Sequence, residues 1–501
     1  MIRSEICGEG SGSRVRGKPK GLFPFLGILL VTALGFRPAT AGACLPYPHY
    51  DVPRNSLDSQ GLTAIFRDDF PFKISRQSGD PRLVIPPARP HCRVKLLNDG
   101  AENFALRAQL MRNARRRIDL QTYLFEGDTI GRETLGIFQE KMAAGVPVRL
   151  IIHAYIRLGK KSRQFFEEIE RAGIFIGGYE PPVFSFLNQN YLPSLWQTNM
   201  GYHEKYLVVD DQAAITGGTN IGDEYAGLGA APGLEMRDLD ALFTGPVVED
   251  MRRAFEQNYQ EFQELESSRP LLVHRLFHHD RPRPQPENRD PAPAENYLGL
   301  GGFTDDDATV RLIRSRPRKN ETYIYQAYLF LFRTAKKSIL LENSYFIPDR
   351  RLLEAICAAA RRGVEVKMIV DIGKPKDQYQ MQPAIARYYY LPLLEAGVKL
   401  YEWKTAETGE GTLHSKISVF DDEVSVIGSY NFDPRCSLLN TEDVVVIDSK
   451  KVAADLKDYI STKDEPRCEL ITREKALAWR RPKSLTRLAK LFMAMAIKYY
   501  W

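Results

Sequence analysis

Two short runs of this chain carry the same set of reactive side chains. Four residues separate His203-Glu204-Lys205 from Asp210, and four separate His414-Ser415-Lys416 from Asp421. Each histidine is followed 17 positions on by an asparagine, Asn220 and Asn431. The chain has eight histidines, so two in one frame point to duplication. Side chains on a strand alternate between faces, so each His-Lys pair shares a side while Glu204 or Ser415 points away. An imidazole can attack phosphorus, and an ammonium can neutralise the non-bridging oxygens. Two copies supply a nucleophile and a general acid that later serves as base toward an acceptor. Two lysines and two asparagines can hold the charge, so no metal or other cofactor is expected. Asp210 and Asp421, at the strand ends, are expected to be structural caps.

The elements that must position these residues recur as well, from about 98 to 449. Residues 116–125 and 336–346 each read as basic residues closing a helix, then a short apolar strand. A helical stretch follows in both copies. Gly145-Val146 and Gly363-Val364 then turn into another strand, and Ala172-Gly173 and Ala396-Gly397 lead on to the His-x-Lys strands. Gly217-Gly218-Thr219-Asn220 matches Gly428-Ser429-Tyr430-Asn431. Strands alternating with helices predict an α/β sandwich with a largely parallel sheet in each half. Between the halves, residues 269–293 are rich in Pro, Arg and Asp and read as a surface connection.

The composition is that of a globular protein of two-domain length, 501 residues with 44% hydrophobic and 26% charged. Its net charge of +6 is concentrated at the end. Residues 471–501 hold eight Lys/Arg and one acid, a local +7 that leaves the rest near −1. A near-neutral body argues against a nucleic-acid partner. Leu485, Leu488, Phe492, Met495 and Tyr499 share a helical face opposite Arg487, Lys490 and Lys498, which suits an anionic membrane surface. At the other end, Arg14, Arg16, Lys18 and Lys20 precede an apolar run of 16 residues, then Ala39-Thr40-Ala41-Gly42-Ala43. Basic, apolar, then small is the order of a secretory signal. The remaining cysteines, Cys44, Cys92, Cys357, Cys436 and Cys468, form no Cys-x-x-Cys or Cys/His ligand pair in sequence.

The paired motifs resemble the HKD motifs of the phospholipase D superfamily, and their flanks resemble its bacterial cardiolipin synthase branch. Residues 217–225, 431–442, 344–349 and 245–248 carry that likeness, within a similarity running from about 97 to 448. The resemblance implies two phospholipase D-like α/β sandwich halves in pseudo-twofold arrangement with one shared active site. It implies a phosphatidyl-histidine intermediate, His203 as nucleophile, His414 as acid/base, and a carboxylate orienting each. By position those are Asp238 and Glu442. It also implies transfer of a phosphatidyl group between phospholipids, phosphatidylglycerol foremost, to make cardiolipin. Hydrolysis to phosphatidic acid, cleavage of nucleic-acid phosphodiesters and a catalytically silent scaffold are the rival readings.

The sequence departs from the branch in three places. Met200-Gly201-Tyr202 precedes the first His where an Arg is usual, and His153 stands where Asp371 stands in the other half. A signal-like segment replaces two N-terminal transmembrane helices, which places the expected action at the exported, periplasmic face of a bacterial envelope. The expected organisation is a signal-like segment (1–43), a first phospholipase D-like domain (44–268), the connection (269–307), a second domain (308–455) and a basic amphipathic tail (456–501).

Overall fold

A computed structural model describes residues 61–74, 80–153, 160–174, 176–177, 201–228, 235–267, 299–371, 381–404 and 411–480. The signal-like segment, Cys44, most of the Pro-rich connection and the amphipathic face beyond 480 lie outside the described residues.

The first half contributes β1 (Arg89–Leu97), β2 (Ile118–Thr122), β3 (Val148–Ile152), β4 (Ile176–Gly177), β5 (Tyr206–Val209), β6 (Ala213–Gly217), β7 (Met236–Arg237) and β8 (Asp240–Thr244). The second contributes β9 (Asp305–Arg316), β10 (Glu321–Thr322), β11 (Ser338–Asn343), β12 (Glu365–Val370), β13 (Lys399–Trp403), β14 (Thr412–Leu413), β15 (Lys416–Phe420), β16 (Val424–Gly428), β17 (Glu442–Asp448) and β18 (Cys468–Leu470). One sheet runs β18-β13-β12-β11-β15-β16-β17-β9-β1-β8-β6-β5-β2-β3-β4. Read outward from the antiparallel β1–β9 pair, the two sides repeat the same order, with β18 added at one edge. That is the pseudo-twofold relation in strand terms.

The expectation of a largely parallel sheet is corrected. Within this sheet, among the described residues, only β2–β3–β4 and β11–β12–β13 run parallel; β5, β6, β8 and β1, like β15, β16, β17 and β9, are antiparallel. The helical crossovers fall only in the early part of each half, where Gly145, Gly173, Gly363 and Gly397 at positive φ close the turns. Residues 210–212 and 421–423 then join β5 to β6 and β15 to β16 as tight hairpins, which make antiparallel pairs, while longer connections (218–239 and 429–441) bring β8 and β17 back beside them. Asp128 and Asp349, at matching places, cap helices Thr129–Ala143 and Arg350–Arg361 by accepting from Gly131 N and Leu352 N.

Alternation along the strands divides the core. Leu207 and Val209 enter a cluster with the helices of the first half, whereas Tyr206 and Val208 join a cluster shared with Ile417, Val419, Val445 and Ile447 of the second. The second half's own cluster is built around helix Tyr323–Thr334, whose run of apolar residues is buried nearly all round.

Two boundaries differ from expectation. Leu62, Ile65, Phe70, Phe72 and Val84, assigned to the first domain, cover that mostly apolar helix in the second half. Arg311 secures them by donating to the carbonyls of Ile65, Arg67 and Pro86. The chain from 456 is no separate tail as far as Arg480. Cys468–Leu470 adds antiparallel to β13, and Ile471, Ala476 and Trp479 join the second core. The apolar residues in this stretch outweigh its basic ones in deciding where it lies.

Candidate active site

The two histidines stand just before β5 and β15, and backbone from the opposite half holds each. Tyr202 bridges Thr441, His203 N donates to Thr441 O at 3.0 Å, and Thr441 N donates to Gly201 O at 2.8 Å. In mirror image, β14 pairs with β7, and His414 N donates to Arg237 O at 2.7 Å. The side chains cross over as well. His203 Nδ1 lies 2.8 Å from Glu442 of the second half, and His414 Nδ1 lies 2.6 Å from Asp238 of the first. Each half thus supplies the histidine that the other half orients.

The two dyads are not electrically alike. Burial drives His203 well below the ordinary imidazole value, and Lys205 and Lys416 add to the effect. Burial also lowers His414, but Asp238 opposes it and the value settles at about 4. Asp238 is pushed up by burial, yet His414 and Lys416 outweigh this and leave it below the usual range. Glu442 is raised to about 7 by burial despite Lys205. Backbone space explains one carboxylate's approach: a Cβ on Gly218 would stand 2.1 Å from Asp238 Oδ1. The matching Ser429 donates its hydroxyl to the longer Glu442 at 2.5 Å.

The structure brings the other sequence-derived residues to the same place, with different tasks visible. Lys205 Nζ donates to His203 O at 2.7 Å, and Lys416 Nζ donates to His414 O and to Ser344 Oγ. Both lysines are buried; burial lowers Lys416 to about 8 and moves Lys205 in the same direction. Asn220 accepts from Leu124 N and donates to Tyr225 Oη, while Asn431 accepts from Ser344 Oγ at 2.9 Å. Asp210 and Asp421 sit at positive φ and face away. Asp210 accepts from the backbone of Arg115, Arg116 and Arg117, and Asp421 from Lys336, Lys337 and Ser338.

The family model described as cardiolipin synthase, phospholipase D-like domain, matches residues 108–230 and 328–463, one stretch in each half and together over half the chain. This chain belongs to that family. The cardiolipin synthase of Halalkalibacterium halodurans is 30% identical over 380 residues, covering 76% of this chain and 67% of that protein. The cardiolipin synthase of Geobacillus thermodenitrificans is 29% identical over 432 residues, covering 84% and 76%. Among solved structures, the phosphatidylserine synthase of Haemophilus influenzae has the same fold, with TM-score 0.59, 16% identity and coverage of 82% and 95%.

Around this phospholipase D-like centre lie residues to which the sequence reading gave no part in the chemistry. Tyr123 sets its ring edge-on to His203 at 4.9 Å, and Tyr225 does so to His414 at 5.6 Å. His153 stacks on Tyr123 at 4.5 Å and is pushed down to about 3, by burial first and then by Arg435 and His203. It therefore stands beside the centre as a neutral ring. Ser344 and Ser429 were inside the quoted motifs, so the signal for them was present; their hydrogen bonds were not. Cys436 corrects the expectation that no Cys/His pair forms. Its sulfur, a His203 nitrogen and a Glu442 oxygen lie within 4.8 Å of one another. Residues 233 positions apart in sequence offer no spacing to read.

Behind the site, the residues between His and Lys enter buried ionic networks. Glu204 pairs with Arg314 at 2.9 Å, both fully buried, and Asn258 bonds to both. Ser415 donates to Glu342 at 2.5 Å, near the Arg237–Asp464 pair.

Proposed function

We propose that this chain is a phosphatidyltransferase of the cardiolipin synthase type, working through a phosphohistidine. The observation that carries the reading is the crossed pair of His–carboxylate contacts, in a chain of this family. A phosphodiester lodged between the imidazoles has a nucleophile on one side and a proton donor on the other. His203 is the nucleophile. Its neutral form is favoured by burial and two lysines, and Glu442 fixes the Nδ1 proton so that the Nε2 lone pair is presented. His414 beside the ionised Asp238 is the acid. The bound phosphate's negative charge draws a proton to it, which it passes to the leaving glycerol oxygen.

In the second half-reaction His414 takes the proton from an incoming hydroxyl, which attacks phosphorus and frees His203. Lys205 and Lys416 offset the charge on the transferring group. Donor and acceptor are both phosphatidylglycerol, giving cardiolipin and glycerol. The basic amphipathic tail and the signal-like N-terminal segment support work at a membrane surface on the exported face.

The test incubates the full-length protein with phosphatidylglycerol vesicles and follows lipids by mass spectrometry beside His203→Ala. Cardiolipin made only by the unsubstituted protein is the expected result. Phosphatidic acid alone would make water the acceptor. A folded protein giving no lipid product would sink the reading.

A further inference from the structure

Cys436 has no part in the chemistry above, yet it stands against it. It lies on the short helix Pro434–Leu438, is buried, and its thiol stands beside Glu442. Sulfur, imidazole nitrogen and carboxylate oxygen, all within 4.8 Å, form a donor set suited to zinc or cadmium. Metal–ligand bonds of about 2.0–2.3 Å put tetrahedral ligand atoms roughly 3.5 Å apart. The cluster therefore closes on an ion with about 1 Å of contraction along its longest edge, 4.8 Å at most.

We propose that Cys436, His203 and Glu442 form a site for a thiophilic divalent cation, zinc or cadmium, whose occupation arrests the enzyme. The arrest rests on His203 being the nucleophile; the binding does not. The ion takes Cys436 Sγ and releases the thiol proton. It also takes the place of the proton between His203 Nδ1 and Glu442. Where Glu442 carries that proton, two protons leave for one divalent ion and the net charge is unchanged. This matters beside buried Lys205 and Lys416, which would repel added positive charge. Where Nδ1 carries the proton, it moves to Nε2 and only the thiol proton leaves. In either case a neutral imidazole bound through Nδ1 holds its single proton on Nε2. The nitrogen required for attack then has no lone pair.

The experiment titrates the full-length protein with zinc chloride and with cadmium chloride, each variant compared with its own metal-free rate. Cadmium binding is read independently by thiolate-to-metal charge-transfer absorption and bound-metal stoichiometry. Reversible inhibition is expected, relieved by chelator and tighter as pH rises. Cys436→Ser and Cys436→Ala should each raise the half-inhibitory concentration at least about tenfold and abolish the absorption. Cys357→Ser, buried in the second half's core, should keep both. Equal inhibition of the protein and its Cys436 variants, or no band at Cys436, would overturn the proposal while leaving phosphatidyl transfer standing. Cadmium bound at Cys436 in a protein that turns over no lipid would instead count against the function.

Discussion

The two histidines differ in what holds them, and in the proposed mechanism that difference orders the reaction. His414→Ala removes only the proton donor in the first step. It should lose about 10²–10⁴-fold with phosphatidylglycerol, but recover much of the first step when nitrophenol, which needs no proton, is the leaving group. His203→Ala should stay inactive with either. Equal rescue of both variants in a chromogenic assay would reverse or abolish the assignment.

The same contacts set a pH window. Glu442, raised to about 7, must be ionised to keep the His203 proton on Nδ1, so kcat/KM rises through pH 7. Lys416, lowered to about 8, is charged below that value and loses its charge as pH rises through it, so kcat/KM then falls. The arm should move to higher pH in Lys416→Arg, because a guanidinium stays protonated. A profile flat from 6 to 9 would contradict this.

At the level of elements, the tight turn after β6 decides how close Asp238 comes. Gly218→Ala puts a methyl 2.1 Å from Asp238 Oδ1, so the carboxylate must retreat from His414. The expected result is a fall in kcat with little change in thermal stability; an unaltered kcat would show that the 2.6 Å contact is dispensable. The strands that follow the two histidines, β5 and β15, and the glycine turns were legible in sequence because each follows from local spacing. The strand directions were not. Apolar alternation in β5 and β6 looks the same whether the neighbour runs parallel or antiparallel, and only the length of the connection separates the cases. Nor could local pattern place Leu62–Phe66 on the far half. A mostly apolar helix such as Tyr323–Thr334 shows that it must be covered, not by what.

At the level of the whole molecule, duplication gives two halves that are each incomplete. Glu442 and Asp238 were placed by family position as orienting acids; which histidine each reaches depends on the crossing of Thr441 past Gly201 and of β14 past β7. Arg314 of β9 ties the halves underneath, with bonds to Glu204, Asn258 and Gln257, and to the carbonyl of Leu83. Arg314→Ala leaves Glu204 buried without its counter-ion. We expect a loss of about 3–5 kcal/mol in chemical denaturation; a loss under about 1 kcal/mol would mean that water or a neighbour replaces the guanidinium.

The central claim is a covalent intermediate on the first half's histidine, resolved by the second half's. It is tested most directly in His414→Ala given a phosphatidyl donor with a nitrophenol leaving group, quenched and mapped by peptide mass spectrometry. A phosphatidyl adduct accumulating on the peptide containing His203, and absent when His203 is also Ala, is the predicted result. An adduct on any other residue, or nitrophenol release with no adduct at all, would contradict the account.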